Sequence, residues 1–216
     1  MHGPIQNIEV GQARGLRRAP SPPKNSEKGS AMVEFALVAA LVGVPALLGM
    51  TVVGLNMVRA IQVNQVNRDA GHMFATGVDF TQPANQGMLL QIAQGLGFDS
   101  NTGNGVIILS AIQKLDAAAC GTGPCGNLGY PVITQRIVIG NPAKRASAYG
   151  SPPVDGSGHV VNYKNDPNAR AAAFSPNVMA MSDGDLAYVA ETYLASPDYD
   201  VSGYLTGTGV HAQAIF

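Results

Sequence analysis

The sequence predicts an α+β protein whose long amino-terminal helix crosses a membrane in its first half and packs on a small antiparallel sheet in its second half. Three observations lead to this fold class. The run from Phe35 to Val58 carries no charge, and the apolar residues that follow it recur at helical spacing. Four later segments are short and rich in β-branched residues. The chain of 216 residues is long enough for one domain with a buried core.

The first element is the apolar run itself. As a helix, Phe35 to Val58 has a length of about 36 Å, which is enough to cross a hydrocarbon layer of about 30 Å. Five Lys or Arg residues lie in the polar, proline-containing segment 1–29, whereas only Arg59 and Arg68 follow the run closely. Because cytoplasmic flanks carry the excess of basic residues, we predict a cytoplasmic amino end and a head beyond the membrane.

The remaining elements follow from periodicity and turn residues. The first helix is expected to continue as an amphipathic helix to about Gly77. A second, weaker helix is predicted over Gln82 to Gly95, and the long segment from about Asn141 to Pro176 is rich in turn residues. The second helix would place Met88, Leu89, Ile92 and Leu96 on one face. The predicted strands are Val106 to Leu109, Val132 to Ile139, Leu186 to Tyr193 and Val210 to Phe216.

The two cysteines lie in the segment CGTGPC, as Cys120 and Cys125. In an oxidising space beyond the membrane they would form a small disulfide loop. The alternative is two free cysteines that act as small apolar side chains. A zinc site is disfavoured, because two thiolates without a nearby His or a further Cys do not complete a tetrahedral shell.

Composition and motifs argue against several other functions. Charged residues make up 12% of the chain, about half the usual share, and the net charge is −1. Nucleic acid is therefore not an expected partner. The four histidines are scattered, and no nucleophile motif occurs, so we expect neither an enzyme nor a metal or cofactor site. GTGPCG matches GxGxxG by letter, but it contains a proline and no helical pattern follows it.

Acidic residues give weaker signals. The segments SDGD, at 182–185, and PDYD, at 197–200, can be calcium ligands or simply turn formers, and turn formation is favoured because the EF-hand spacing is absent. Glu191 alternates with apolar neighbours and is expected to face solvent on its strand. No second carboxylate is spaced to form a catalytic pair with it.

Glu34 is different, because it stands alone at the head of the apolar run. An ionised carboxylate costs about 2.5 to 3.5 kcal/mol at the centre of a membrane helix and less near the interface, so such a residue needs a partner. One interpretation places Glu34 in the headgroup layer beside Lys28. The other is functional, and it depends on the residues around Glu34.

Those residues follow a pattern: Gly29, then Ser30, then Glu34 and Phe35 ahead of an apolar helix. This pattern resembles the prepilin processing motif of type IV pilins. With Pro45 inside the helix, the segment is most similar to TadE-like pseudopilins of the tight-adherence (Tad) secretion system. Weaker similarities occur in TQRIVIGN, in DGDLAYVAETY and in the final HAQAIF.

The resemblance implies a division into a cytoplasmic leader, 1–29, an amino-terminal helix, 30–80, with its transmembrane part at 35–58, and a periplasmic or extracellular head, 81–216. A prepilin peptidase would cut after Gly29 and expose the amine of Ser30. The Glu34 carboxylate would then pair with that amine on a neighbouring subunit, which offsets the desolvation of both charges. Replacing Gly29 by Ala or a larger residue should leave unprocessed protein.

The implied function is that of a minor pilin, which is stored in the bacterial inner membrane and assembled by a membrane platform into an extracellular filament for adhesion or secretion. Its partners would be the peptidase, other pilin subunits, the assembly platform and membrane lipid. Pro45 lacks an N–H donor and crowds the carbonyl of Leu41, so a kink or locally melted turn is expected there. The low charge of residues 59–216 also suits a surface that packs against other subunits. The alternative is a signal-anchored periplasmic binding or sensor domain.

Overall fold

The computed structural model describes residues 26–171, 173–174, 178–195 and 209–216. The chain divides into two compact units, Met1–Leu47 and Leu48–Phe216. The predicted α+β class is confirmed, since the structure has a long apolar amino-terminal helix and a four-stranded antiparallel sheet.

The helical part begins with α1, Ser26–Val38, continues through a π-helical turn, Ala39–Gly43, and becomes α2, Val44–Ala75. Side chains of residues 29–47 are exposed, except for the half-buried Ala39 and Gly43. Within the described residues, the stretch Gly29–Ala75 is the one helix long and apolar enough to cross a membrane. Its most apolar 18-residue window has a mean hydropathy of 2.3, and none of that window is buried.

The π-helical turn lies directly before Pro45. The N–H of Val44 bonds to the carbonyl of Ala39, five residues back, so the helix widens by one residue here. Proline in a regular helix leaves a carbonyl without a donor and collides with it, and an inserted residue relieves both problems. The sequence predicted a kink or a melted turn at Pro45. The structure has a helical irregularity at this place, in the form of the π-helical turn directly before the proline.

The sheet contains β1, Gly105–Lys114, β2, Pro131–Gly140, β3, Leu186–Leu194, and β4, Val210–Ile215, in the order β2-β1-β3-β4. All neighbouring strands are antiparallel. Each predicted strand corresponds to one of these, although β1 extends well beyond the predicted Leu109. The register between β1 and β2 shifts at Ala111/Ile112, where a bulge interrupts the alternation.

The second half of α2 packs on one face of the sheet. Its residues Val63, Val66, Ala70 and Phe74 join alternate residues of the strands in the main core. Three contacts set the register between helix and sheet. The Asn67 amide oxygen accepts a hydrogen bond from the Thr192 hydroxyl, Gly71 lies against Ala190, and Phe74 meets Tyr188 edge to face with ring centroids 5.2 Å apart.

The predicted second helix is α3, Pro83–Ile92, followed by a 3₁₀ turn, Gln94–Leu96. The predicted buried face was only partly correct. Leu89 is fully buried and Leu96 packs against the core, but Met88 and Ile92 are exposed by 43% and 52%. Ala93 takes the buried position instead, because it lies one helical turn beyond Leu89, to whose carbonyl its N–H is hydrogen-bonded.

The turn-rich segment after β2 covers the other face of the sheet. It contains two short 3₁₀ turns, Pro142–Lys144 and Pro167–Ala169, and it contributes Tyr149, Val160 and Phe174 to a second core with sheet residues such as Ile133 and Val189. Isolated bridges pair Val132 with Arg170 and Gln135 with His159, so this segment also lies along the outer edge of β2. Its end at residues 175–176 lies outside the described residues.

Candidate functional site

The amino-terminal junction predicted from the sequence lies on one face of α1. Gly29, Ser30 and Glu34 share this face with the apolar residues Val33, Leu37 and Val38. Glu34 is four residues beyond Ser30, so the carboxylate is about 6 Å along the helix axis from the residue whose amine cleavage would expose. Phe35 is 75% exposed on the neighbouring face.

The helix begins before the predicted cut. The sequence division started the helix at Ser30, whereas α1 begins at Ser26 and therefore includes the Gly29–Ser30 peptide bond. Proteases bind substrate backbone in extended form, so cleavage here requires the first turn of α1 to unwind. Helix ends fray readily, and a glycine lowers the cost of unwinding further.

Packing does not explain why residue 29 is a glycine. A Cβ atom added at Gly29 has no described atom within 4 Å, and its φ is not in the left-handed region. Glycine inside a helix is less favourable than alanine by about 0.5 to 1 kcal/mol. The residue is therefore costly to the helix, and its packing in this chain gives nothing in return.

Glu34 is exposed on an otherwise apolar helix surface. Among the residues whose side chains the structure describes, none donates a hydrogen bond to its carboxylate. The side chain of Lys28, the neighbour suggested by the first interpretation, lies outside those residues. If this helix segment enters a bilayer, the Glu34 carboxylate needs a donor from another molecule or a position in the headgroup layer.

A second polar site lies in the head, and the sequence did not predict it. Glu191 was expected to face solvent, and that prediction was wrong, because the residue is only 3% exposed. It lies on the sheet face that residues 145–150 cover. Its carboxylate accepts hydrogen bonds from the Ala148 N–H, at 2.9 Å, and from the Ser147 hydroxyl. Alternation along the strand correctly put Glu191 opposite the helix, but it does not show that a distant segment covers that face.

Arg136 completes this cluster from β2. Its guanidinium donates to the Ser147 hydroxyl at 3.1 Å, to the Ser110 hydroxyl at 3.2 Å and to the Gly150 carbonyl. Burial lowers the pKa of Arg136 to about 10, while the charge of Glu191 opposes that shift. Arg136 therefore remains protonated at neutral pH. The arrangement is a hydrogen-bonded charge cluster that fastens residues 147–150 to the sheet.

Cys120 and Cys125 form a disulfide in the connection between β1 and β2. Cys120 ends a short helix, α4, Ala117–Cys120, which the Asp116 carboxylate caps by accepting from the N–H of Ala119. The side chain of Asn127 fastens the following turn by donating to the carbonyls of Tyr163 and Asp166. The glycines of GTGPCG belong to turns in this region.

The acidic segment at 182–185 has structural contacts. Asp183 forms an ion pair with Lys114 at 2.9 Å, and the Asp185 carboxylate accepts from the N–H of Ser182 at 2.6 Å. The second acidic segment, 197–200, lies outside the described residues. Within the described part of the chain, no three His, Cys, Asp or Glu side chains are grouped as metal ligands would be.

The fold and the junction define a class, an α+β protein with one helix that can serve as a membrane anchor. No family model, no curated protein and no solved structure matches the chain.

Proposed function

We propose that this chain is a minor pilin or pseudopilin, similar to the TadE-like proteins of the Tad system, that is anchored in the inner membrane and assembled into a filament. In this proposal a prepilin peptidase removes residues 1–29, and Ser30 becomes the new amino terminus. The head acts as a binding and packing module without an enzymatic step. Its work is to join other pilin subunits through the membrane platform.

The observation that carries the proposal is the pairing of Gly29 with Glu34. A glycine that no packing contact requires precedes, by five residues, a carboxylate that stands on an apolar helix surface. The glycine lowers the stability of the helix at its start, and the carboxylate is costly in a membrane anchor. Cleavage explains the glycine, and pairing with the Ser30 amine of a second subunit explains the carboxylate.

The apolar helix supports the same function. Apart from the half-buried Val52, its large apolar side chains from Met32 to Val58 are at least 41% exposed in the isolated chain, so other molecules must cover them. Lipid covers them before assembly, and neighbouring helices can cover them in a filament. The π-helical turn before Pro45 and the half-buried glycines 43 and 49 lie within this stretch.

The amino-terminal residue of the mature protein tests the proposal. The full chain is expressed in membranes with and without an active prepilin peptidase, and the product is examined by intact mass and amino-terminal sequencing. Processing should give a chain that starts at Ser30 only when the peptidase is present. A chain that retains Met1 in both membranes would identify a signal anchor and refute the proposal.

Two glycine variants make this test specific. Gly29→Ala should block cleavage, whereas Gly43→Ala should not, although both glycines lie in the same helical stretch and have no described atom within 4 Å of an added Cβ. Equal processing of both variants would show that residue 29 is not read by the peptidase. A loss of cleavage in both would indicate a general effect on helix insertion.

Assembly is tested separately through Glu34. Glu34→Gln retains size and shape but removes the charge, so the mature protein should accumulate in the membrane without appearing in sheared filaments. Glu34→Asp, which keeps the charge, should retain part of the assembly. Normal filament incorporation of Glu34→Gln would refute the pairing with the Ser30 amine while leaving the processing result intact.

A further inference from the structure

The contacts between α2 and β3 show which end of the sheet lies near the apolar run. Asn67 contacts Thr192, Gly71 contacts Ala190 and Phe74 contacts Tyr188, so the helix and this strand run in opposite directions. Four residues of helix rise about 6 Å, and two residues of strand rise about 6.6 Å. Contacts between α2 and β3 can therefore recur with every turn of the helix and every second residue of the strand. Extended by one turn, this pattern places Val63 at the level of Leu194.

That level is close to the end of the apolar run. Val63 is five residues beyond Val58, which corresponds to about 7.5 Å along the helix. The headgroup layer on each side of a bilayer is about 5 to 7.5 Å thick. If Val58 is the last residue in the hydrocarbon layer, the sheet end that contains Leu194 lies at the outer limit of the headgroups.

Of the three connections that start or end at this end of the sheet, two are described. The third, between β3 and β4, has its residues 196–208 outside the described part of the chain. The segment 97–104 leads into β1, and its Gly103 and Asn104 carbonyls accept from the Asn141 side chain and from the N–H of Ala195. The turn Pro142–Lys144 follows β2, and the N–H of Asn141 donates to the Gly105 carbonyl. We call these two connections, together with the helix residues 59–61, the basal surface.

Among the described residues, the charges of the basal surface are mainly positive. They are those of Arg59, Lys144 and Arg145, against the exposed Asp99, whose carboxylate accepts hydrogen bonds from Ser100 and Thr102. At the opposite end of the sheet, charges of both signs are mixed. Asp116, Asp183 and Asp185 lie there together with Lys114, Lys164 and Arg170.

Arg145 is held in place at the basal surface. Its guanidinium lies over the Tyr193 ring, 5.3 Å from the centroid, while the residue as a whole is exposed. On the helix side, Ile61 is 58% exposed one turn beyond the uncharged run. The surface thus combines fixed basic groups with an apolar side chain next to the helix that would enter the bilayer.

We propose that the basal surface docks the head on the anionic phospholipid surface of the membrane that holds the helix. This inference rests on the membrane anchoring proposed above and adds a lipid contact for the head itself. Lipid is favoured over a second copy of the chain because the surface continues from the apolar helix and its charge is opposite to that of anionic headgroups. Each basic residue near such a surface strengthens binding by about fivefold.

A single tryptophan tests the proposal, since the sequence contains none. Ala143→Trp places the fluorophore in the exposed basal turn, and Leu128→Trp places it at the far end of the sheet, about 30 Å away by strand length. The full chain is reconstituted into vesicles of phosphatidylcholine, with or without phosphatidylglycerol, that contain brominated lipid as quencher. Flotation of the vesicles reports anchoring independently.

Docking predicts a blue-shifted, quenched emission for Ala143→Trp in vesicles with phosphatidylglycerol and little quenching for Leu128→Trp. Adding Lys144→Gln and Arg145→Gln should lower the ratio of docked to undocked heads about 30-fold, and 1 M salt should act in the same direction. Equal quenching at both positions, or no dependence on phosphatidylglycerol, would overturn the proposal.

Two further outcomes are decisive. If the quenching disappears when the protein is diluted in lipid, the basal surface binds a second copy and the lipid proposal is wrong. If the chain fails to float with the vesicles, both the anchoring and the docking are wrong. Floating protein with an unquenched Ala143→Trp would refute docking alone and leave the proposed pilin function intact.

Discussion

Glu191→Ala is the sharpest test of the buried charge cluster in the head. The change removes the carboxylate that accepts from Ser147 and Ala148 and leaves the Arg136 guanidinium, in a residue only 6% exposed, without its opposing charge. Breaking a buried pair by removing one partner costs about 3 to 5 kcal/mol. A domain of this kind has a total stability of about 5 to 15 kcal/mol, so we expect about a fifth or more of it to be lost.

The measurement is urea unfolding of the full chain in detergent micelles, followed by the near-ultraviolet circular dichroism of its tyrosines. Tyr149 lies beside the cluster and is 3% exposed, so its signal reports this face of the sheet. Asp155→Asn is the matched control. Asp155 also accepts two backbone hydrogen bonds, from Ser157 and His159, but it is exposed. The Asn side-chain oxygen can still accept them, so this loss of charge should cost no more than about 1 kcal/mol.

A double variant separates the burial of charge from the fastening of the segment. Arg136→Met with Glu191→Leu replaces the pair by apolar groups of similar size, and such replacements are often neutral or stabilising. We therefore expect the double variant to be more stable than Glu191→Ala. If Glu191→Ala costs no more than Asp155→Asn, the reasoning fails, because the cluster then contributes nothing to holding residues 147–150 on the sheet.

Three further predictions concern the head. Gly71→Ala should destabilise it, because the new Cβ overlaps the Phe216 ring, and Phe216→Ala should relieve part of that loss in the same unfolding assay. Replacing Cys120 and Cys125 by Ala should cost about 2 kcal/mol from the entropy of a short closed loop, and a loss no larger than the error of the denaturation curves would contradict this. Burial, with Arg145 nearby, lowers the pKa of His211 below 6.5, so the folded state binds fewer protons than the unfolded state and stability should fall as pH drops below 6.5. The pH dependence of unfolding should flatten in His211→Gln.

Local pattern was sufficient to predict the elements of the fold. The uncharged run and the helical spacing after Arg59 lie in the helical stretch from α1 to α2, and each of the four β-branched segments corresponds to one strand. Such patterns work because each reflects a single face that must be buried. The extension of β1 from Ser110 to Lys114 was missed, because this stretch contains mainly small or polar residues instead of the β-branched residues typical of strands.

Long-range coverage could not be predicted in the same way. Glu191 alternates correctly on β3, yet its burial depends on residues more than forty positions earlier in the chain. The segment from Asn141 contains many turn residues and no periodicity, which gives no sign that it supplies Tyr149 and Val160 to a second core. A charged residue in a strand indicates that another segment covers its face of the sheet only when a residue of opposite charge lies on the same face. Here that residue is Arg136.

The junction was predictable to a different extent. Its residues could be named from the sequence, because spacing alone defines the resemblance to a processing motif. The early start of α1 at Ser26 was missed, and so was the π-helical turn before Pro45. Both depend on how the helix accommodates its neighbours. One inserted residue disturbs the apolar periodicity over a single turn, which is too short to be recognised in the sequence.

The sheet order β2-β1-β3-β4 also has a consequence for how the head forms. The β1–β2 hairpin closes the short connection from Lys114 to Pro131, whereas pairing of β1 with β3 must close the far longer one from Lys114 to Leu186. By loop-closure entropy the longer connection costs about 1.3 kcal/mol more. The hairpin with its disulfide should therefore form early. One edge of β1 then stays unpaired until β3, Leu186–Leu194, pairs with it. Only after that pairing can the hydrogen bond from Thr192 to Asn67 fix the position of α2 on the sheet.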